Sequence, residues 1–246
     1  MKDVEILPDK DTLGRAAAQL VASLIRDQLG DRDKLRIIFA AAPSQTETLA
    51  HLVAAGGIDW KRIEAFHMDE YLGLPADHPA RFANWLDAHL FKQVPFGRVN
   101  RIEPGDNPAG TVADYTALLQ QAPIDLVLCG IGETGHIAFN DPDVADFNDA
   151  ASVKIVTLDE RSRSQQVDEG CFSSLDEVPK QAITITIPPL MSAKTVICVV
   201  SGAHKRGAVT AALTGPVTTA CPASILTTHP DVHFFLDEEA GADVQP

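Results

Sequence analysis

The sequence predicts an α/β fold: a Rossmann-like, mostly parallel, doubly wound sheet with helices on both faces. Three observations predict it. Short runs rich in β-branched and aromatic residues alternate with helical patterns along the chain. Several of these runs are apolar on both faces, as strands buried between two helix layers are. The segments after them are small, polar or glycine-rich, which is where an open parallel sheet places its ligands.

Taken in order, Asp11-Thr12 is expected to cap a helix that runs to about Leu29, with Gly30 as its stop. Strands are expected at 35–40 (LRIIFA), 62–68 (RIEAFHM), 124–129 (IDLVLC), 153–158 (VKIVTL), 182–187 (AITITI), 195–200 (TVICVV) and 232–236 (VHFFL). Helices fit 46–55, 79–91, 108–120 and 205–213, and Pro79 and Pro108 stand where a first-turn proline is tolerated. The N-terminus already reads as folded sequence, and only 240–246 is expected to be a disordered tail. Without an internal repeat or a Gly/Ser linker, residues 1–246 read as a single domain.

A formal net charge of −14 argues against nucleic acid and against an anionic membrane, and the lysines and arginines form no compensating stripe. A small anion remains a suitable partner, because a few local cations outweigh distant charge. The four cysteines have no metal-like spacing, and Cys129 and Cys198 lie in apolar runs as core residues do. No secretory leader or 18-residue apolar span is evident, so the cytoplasm is the expected compartment.

Four strand ends carry the chemistry. After 124–129 comes Gly130-Ile131-Gly132-Glu133-Thr134-Gly135-His136, with Asp141 five residues beyond the histidine. Glycines let the backbone approach a ligand, and a histidine oriented by a carboxylate moves protons near neutral pH. The bland alternative is a glycine turn with a structural histidine. The run also spells GxGxxG, but no amphipathic helix pattern follows, as a dinucleotide site requires. After 62–68, Asp69-Glu70 could supply a base, or Asp69 could cap a turn. After 35–40, Ser44-Gln45-Thr46 precedes a helix N-terminus suited to phosphate, with Ser44 as an ordinary cap the near-equal alternative. After 195–200, Lys205 could meet a phosphate or remain a solvated surface lysine.

Together these segments resemble the glucosamine-6-phosphate deaminase (isomerase) family over nearly the whole chain. Residues 66–74 are similar to its MDEYxGL segment, and 130–142 to its long GIGxDGHIAFNEP signature. The stretches 178–179, 182–187, 201–205 and 237–240 match as well. The resemblance implies conversion of an amino-sugar 6-phosphate to a ketose 6-phosphate with release of ammonia and without a cofactor or metal. It implies that His136 opens the sugar ring, Asp69 shuttles a proton between C2 and C1, and Asp141 orients His136. Ser44, Gln45, Thr46 and Lys205 are implied as phosphate ligands, with Glu70 and Gly135 also at the substrate. The sequence departs from the family at Thr134, where an acid is usual, and at Asp141, where glutamate is usual. Charge support for His136 must then come from Asp141 or Glu133. No arginine stands near Asp168, where one is expected for phosphate; Arg161 or Arg163 is the substitute. Residues 159–178 fall where the family keeps a mobile lid. Lactone hydrolysis, as in the related 6-phosphogluconolactonases, and non-catalytic sugar-phosphate sensing are the competing readings, and a homo-oligomer is left open.

Overall fold

A computed structural model describes residues 3–244. Seven strands form one parallel sheet: β1 (Asp3–Leu7), β2 (Leu35–Phe39), β3 (Ile63–His67), β5 (Arg98–Asn100), β6 (Leu126–Cys129), β9 (Thr195–Val200) and β10 (Val232–Asp237). Their order is β1-β10-β9-β6-β2-β3-β5. A second, three-stranded antiparallel sheet runs β4 (Asp69–Tyr71), β8 (Gln181–Ile185), β7 (Val153–Thr157).

The apolar pattern explains the layering. In β2 every residue is buried, with Leu35, Ile37 and Phe39 in one core and Ile38 in the other. The first core is closed by α1 (Lys10–Asp31) through Val21, Ala22 and Ile25, and by α2 (Thr46–Ala54) through Leu49 and Leu52. The second is closed by Tyr115 and Leu119 of α4 (Pro108–Leu119) and by Ala208 and Val209 of α7 (Arg206–Thr214). The remaining helices are α3 (Phe82–Leu86), which continues as a wider turn over Asp87–Phe91, α5 (Glu160–Asp168) and α6 (Ile187–Met191). No helix among the described residues is long and apolar enough to cross a membrane.

Several expectations need correction. Asp9, not Asp11, caps α1 by accepting from the Thr12 N–H at 2.8 Å, and α1 runs through Gly30 to Asp31. The helix expected from Pro79 starts at Phe82. The runs at 153–158 and 182–187 pair antiparallel outside the main sheet, while β1, β4 and β5 were too short or too polar to be read as strands. The expected tail packs down: Ala240 and Val244 are buried in the second core. Only residues 245–246 of that expectation lie outside the described residues.

Glu70 is a correction of another kind. Side chains alternate across a strand, so Asp69 and Glu70 of β4 point to opposite faces. Glu70 faces inward and caps α3, accepting from the N–H groups of Phe82 at 3.1 Å and Ala83 at 3.0 Å, with Arg81 at 3.6 Å. Burial, opposed by these donors and the Arg81 charge, pushes its carboxyl up to about 7. It lies against no cleft at the strand ends. Glu70→Ala should strand those backbone donors and destabilise the fold by about 3 kcal/mol, a fall of roughly 6–12 °C in Tm. A calorimetric scan measures this; an unchanged Tm would return Glu70 to the substrate-binding set.

Candidate active site

The sheet order creates the site. β2 pairs with β3 on one side and with β6 on the other, so the connections from β2 and β6 leave in opposite directions. A cleft of about 530 Å³, including its open mouth, lies at that parting. Ala40–Ala42 and Ser44 after β2, Met68 and Asp69 after β3, and Gly130–Gly132 after β6 form its floor. His136 and Phe139 line one wall, and Gln165, Gln166 and Glu169 of the α5 segment line another, with Lys205 at the edge.

His136 is seated by its own loop. The Gly132 N–H donates to the His136 carbonyl at 3.0 Å, and a Cβ on Gly132 would lie 2.0 Å from the imidazole, so the ring packs directly on that glycine. Gly135 holds φ +80 against Cys221, with its carbonyl accepting from the Ala223 N–H at 2.7 Å. It shapes the loop from behind and does not line the cleft. Ala138 adopts φ +50, and the loop beyond it is clamped by β8. The Phe139 N–H donates to Thr184 Oγ1 at 3.0 Å, and Asn140 Nδ2 donates to the Ile185 carbonyl at 2.9 Å. No helix follows the glycines, so the GxGxxG spelling lacks the element that a dinucleotide site needs.

Asp141 stands behind His136, with Oδ1 3.0 Å from Nδ1. It is 2% exposed. Burial pushes its carboxyl up, but the His136 hydrogen bond and charge, with Ser162 and Thr134, outweigh this and hold it below the usual carboxylate range. Asp141, not Glu133, therefore supplies the charge beside His136. Nε2 of His136 has no protein partner among the described residues and belongs to the cleft side of the ring.

Asp69 is 7% exposed, lines the cleft, and has no hydrogen bond to its carboxylate among the described residues. Burial first, then the neighbouring Glu70 charge, pushes its carboxyl well above the usual range. Its backbone is fixed by His67, whose Nδ1 lies 2.9 Å from the Asp69 carbonyl while Nε2 accepts from the Ile102 N–H at 2.8 Å. Burial lowers the His67 pKa to about 3, so it is a neutral strut.

At the other end, Ser44 lies in the turn Pro43–Gln45 and lines both this cleft and an adjoining one of about 980 Å³. Lys205 is only 3% exposed, not a solvated lysine, and its ammonium lies 3.1 Å from Glu169. The turn that presents it is anchored by Asp237, which accepts from the Gly202 N–H at 2.8 Å. Gln45 props this turn from below, donating to the Val199 carbonyl at 3.2 Å, and Thr46 opens α2 without lining either cleft. Arg163 is also a correction: its guanidinium donates to the carbonyls of Leu175 at 2.6 Å and Val178 at 2.9 Å, tying α5 to the segment after it and away from both clefts. Among the described residues no three His, Cys, Asp or Glu side chains are gathered as metal ligands would be.

The residues missed from sequence are those of the α5 segment. Ser162, Gln165, Gln166 and Glu169 recur at i, i+3, i+4 and i+7, a polar stripe at helical spacing on the face that α5 turns inward. That buried polar face was the available signal, and a search for apolar stripes passes over it.

A sequence profile described as "Glucosamine-6-phosphate isomerases/6-phosphogluconolactonase" matches residues 8–234. A relative from Mycolicibacterium smegmatis, named glucosamine-6-phosphate deaminase, is 33% identical over 250 aligned positions, covering 99% of this chain and 93% of its own. One of the same name from Exiguobacterium sibiricum is 38% identical, covering 75% of this chain and 72% of its own. A solved monomeric glucosamine-6-phosphate deaminase superposes with a TM-score of 0.89 at 28% identity, covering 98% of this chain and 99% of that one. The 6-phosphogluconolactonase of Trypanosoma brucei shares the fold, with a TM-score of 0.82 at 18% identity and coverage of 100% and 99%.

The buried Asp69 carboxylate makes a prediction about stability. Its folded pKa is raised, so the folded state holds its proton after the unfolded state has lost it. The stability it contributes in acid is lost as pH rises from about 3.8 through the folded value. Asp69→Asn should therefore be more stable than the wild type at neutral pH, with the two converging below the unfolded pKa. Urea midpoints across that range test this, and a less stable Asn variant at neutral pH would contradict the placement.

Proposed function

Because this chain belongs to the glucosamine-6-phosphate isomerase/6-phosphogluconolactonase family, we propose that it converts an amino-sugar 6-phosphate and water to a ketose 6-phosphate and ammonia. The observation that carries this reading is the shared cleft. A carboxylate without donors, Asp69, and the free ring nitrogen of His136 line one cavity that also reaches Ser44 and Lys205.

In this reading Lys205 and the Ser44 hydroxyl hold the phosphate, with the first backbone N–H groups leading into α2 beside them. His136 Nε2 takes the proton of the anomeric hydroxyl and delivers one to the ring oxygen, which opens the ring. Asp69 then removes the proton from C2 while O1 takes one from the substrate's C2 ammonium, giving a neutral enolamine. Returning that proton to C1 yields an iminium at C2. Water adds there, and collapse of the carbinolamine expels ammonia and leaves the ketose. Ring opening and isomerisation are proton transfers between positioned groups, so a base of raised basicity at Asp69 suits the chemistry and no cofactor is called on. The reaction consumes water overall but isomerises in mechanism.

The α5 segment, within residues 159–178, is read as a cover over the sugar, with Gln165 and Gln166 facing it. Glu169 occupies the ammonium of Lys205, so a phosphate dianion must take its place there. Glu169 Oε2 is buried without a partner, which favours that exchange. The cytoplasm, where sugar phosphates are handled, is the proposed compartment. A homo-oligomer is compatible, since every residue named comes from one chain.

The purified protein should release ammonia from glucosamine 6-phosphate or galactosamine 6-phosphate in a coupled assay and leave 6-phosphogluconolactone unturned. Lactone turnover with no ammonia, or sugar-phosphate binding with no turnover, would overturn the reading. His136→Ala should lower kcat by roughly 10²–10⁴-fold with the fold intact by circular dichroism. Glu169→Gln should lower the inhibition constant of inorganic phosphate by removing its competitor at Lys205; a higher constant would mean that Glu169 builds the phosphate site instead of blocking it.

A further inference from the structure

His136 Nδ1 has three oxygens within reach: Thr134 Oγ1 at 2.8 Å, Ser162 Oγ at 3.0 Å and Asp141 Oδ1 at 3.0 Å. Both hydroxyls also reach Asp141 Oδ1, Thr134 at 2.8 Å and Ser162 at 2.5 Å. Ser162 is 1% exposed and comes from α5, more than twenty residues from the loop that carries the other three.

The protons in this cluster can be counted. Each hydroxyl has one proton and two lone pairs, and an ionised carboxylate has lone pairs only. The other oxygen of Asp141, Oδ2, is buried with no partner, so Oδ1 must draw all the donors that keep the charge solvated. Both hydroxyl protons therefore point at Oδ1, and each hydroxyl offers Nδ1 a lone pair. A ring nitrogen facing three acceptors must itself carry a proton. The neutral imidazole then has Nδ1–H, and its lone pair lies on Nε2, on the cleft side.

We propose that Ser162 and Thr134 are positioning residues. Their hydroxyls do with neutral groups what a second acid would do beside His136, and they hold the imidazole with its basic nitrogen toward the sugar. Because Ser162 rides on the helix whose Gln165, Gln166 and Glu169 line the cleft, the base is fully set only when α5 is seated over it. As a role in catalysis this rests on the deaminase reading; as a statement about the imidazole it does not.

The test is made on the full chain, with no ligand for the first measurement. Two-bond proton–nitrogen NMR of uniformly labelled protein, with His136→Gln used for assignment, should show a protonated Nδ1 and a free Nε2 in the wild type. In the double variant Thr134→Ala/Ser162→Ala, Nδ1–H is the one donor left to Asp141, so the tautomer should persist while the Nδ1 proton moves downfield as that hydrogen bond is no longer shared. Ser162→Ala alone should lower kcat on the amino-sugar phosphate by roughly 10–100-fold, the range for partners that orient a functional histidine. KM should stay within about twofold, because the hydroxyls touch no substrate. Thr134→Ser, which keeps the hydroxyl, should retain most activity, and Ser164→Ala, on α5 but outside the cluster, should change neither measurement. If the double variant does not fold, Ser162→Ala and Thr134→Ala are read by the same spectra, with a smaller downfield shift of the Nδ1 proton expected. A wild-type Nε2–H tautomer, or variants that keep both the wild-type spectrum and kcat, would overturn the inference. The tautomer pattern as stated, in a wild type that releases no ammonia, would overturn the deaminase reading alone.

Discussion

A carboxylate removed from water stays charged only if donors surround it, and Asp141 collects its donors from two separate parts of the chain. Thr134 and His136 come from the loop after β6, and Ser162 from α5. That demand explains much of the local backbone. The loop must curl until residues 134, 136 and 141 meet, which needs Gly132 under the imidazole and a left-handed turn at Gly135. Ala138 takes an uncommon conformation, and the β8 clamps on Phe139 and Asn140 stabilise it. The second sheet is therefore more than an appendage: β8 pairs with β4, which carries Asp69, and also holds the loop that carries His136.

The parallel sheet contributes the space. Its central strands are mostly apolar on both faces, and the buried Arg36 within β2 is tied to Glu64 and to backbone carbonyls, so the cleft is built from what emerges at their carboxyl ends. The opposed exits of β2 and β6 then leave a gap in which small residues, Ala40–Ala42 and Gly130–Gly132, keep the floor open. Charges around the gap are handled in two ways. Lys205 and Glu169 neutralise one another, whereas Asp69 is left without a donor in a buried position, a local arrangement that opposes stability. Sites that are poorly solvated in the empty protein are where a substrate has most to gain by binding.

The parts legible in the sequence were those fixed by local chemistry. A glycine-rich turn after a buried run, followed by His136 and Asp141, locates a site because few other structures call for those residues in that order. The illegible parts involve direction. Asp69 and Glu70 are adjacent acids in the sequence, yet the two-residue period of a strand sends one to the cleft and the other to the end of α3. Ser162 and Arg163 are adjacent too, and the 3.6-residue turn of α5 places the first on His136 and the second on carbonyls of the opposite side. The family resemblance put Glu70 and Arg163 among the expected ligands, whereas their side chains face the start of α3 and the carbonyls of Leu175 and Val178.

The sequence by itself determined the layered α/β architecture, because alternating apolar runs and helical patterns admit few other ways to bury both faces of a sheet. It also determined that His136, Asp141, Asp69 and Lys205 stand at strand ends, since those positions follow directly from where the runs stop. Only the tertiary structure decided that α5 closes the cleft with a polar face, that Ser162 joins the His136–Asp141 pair, and that Glu169 sits on Lys205. Hydrogen bonds and ion pairs depend on angstrom-scale distances between segments far apart in the chain. Periodicity and composition record which face of an element is buried, but not which distant side chain it is buried against.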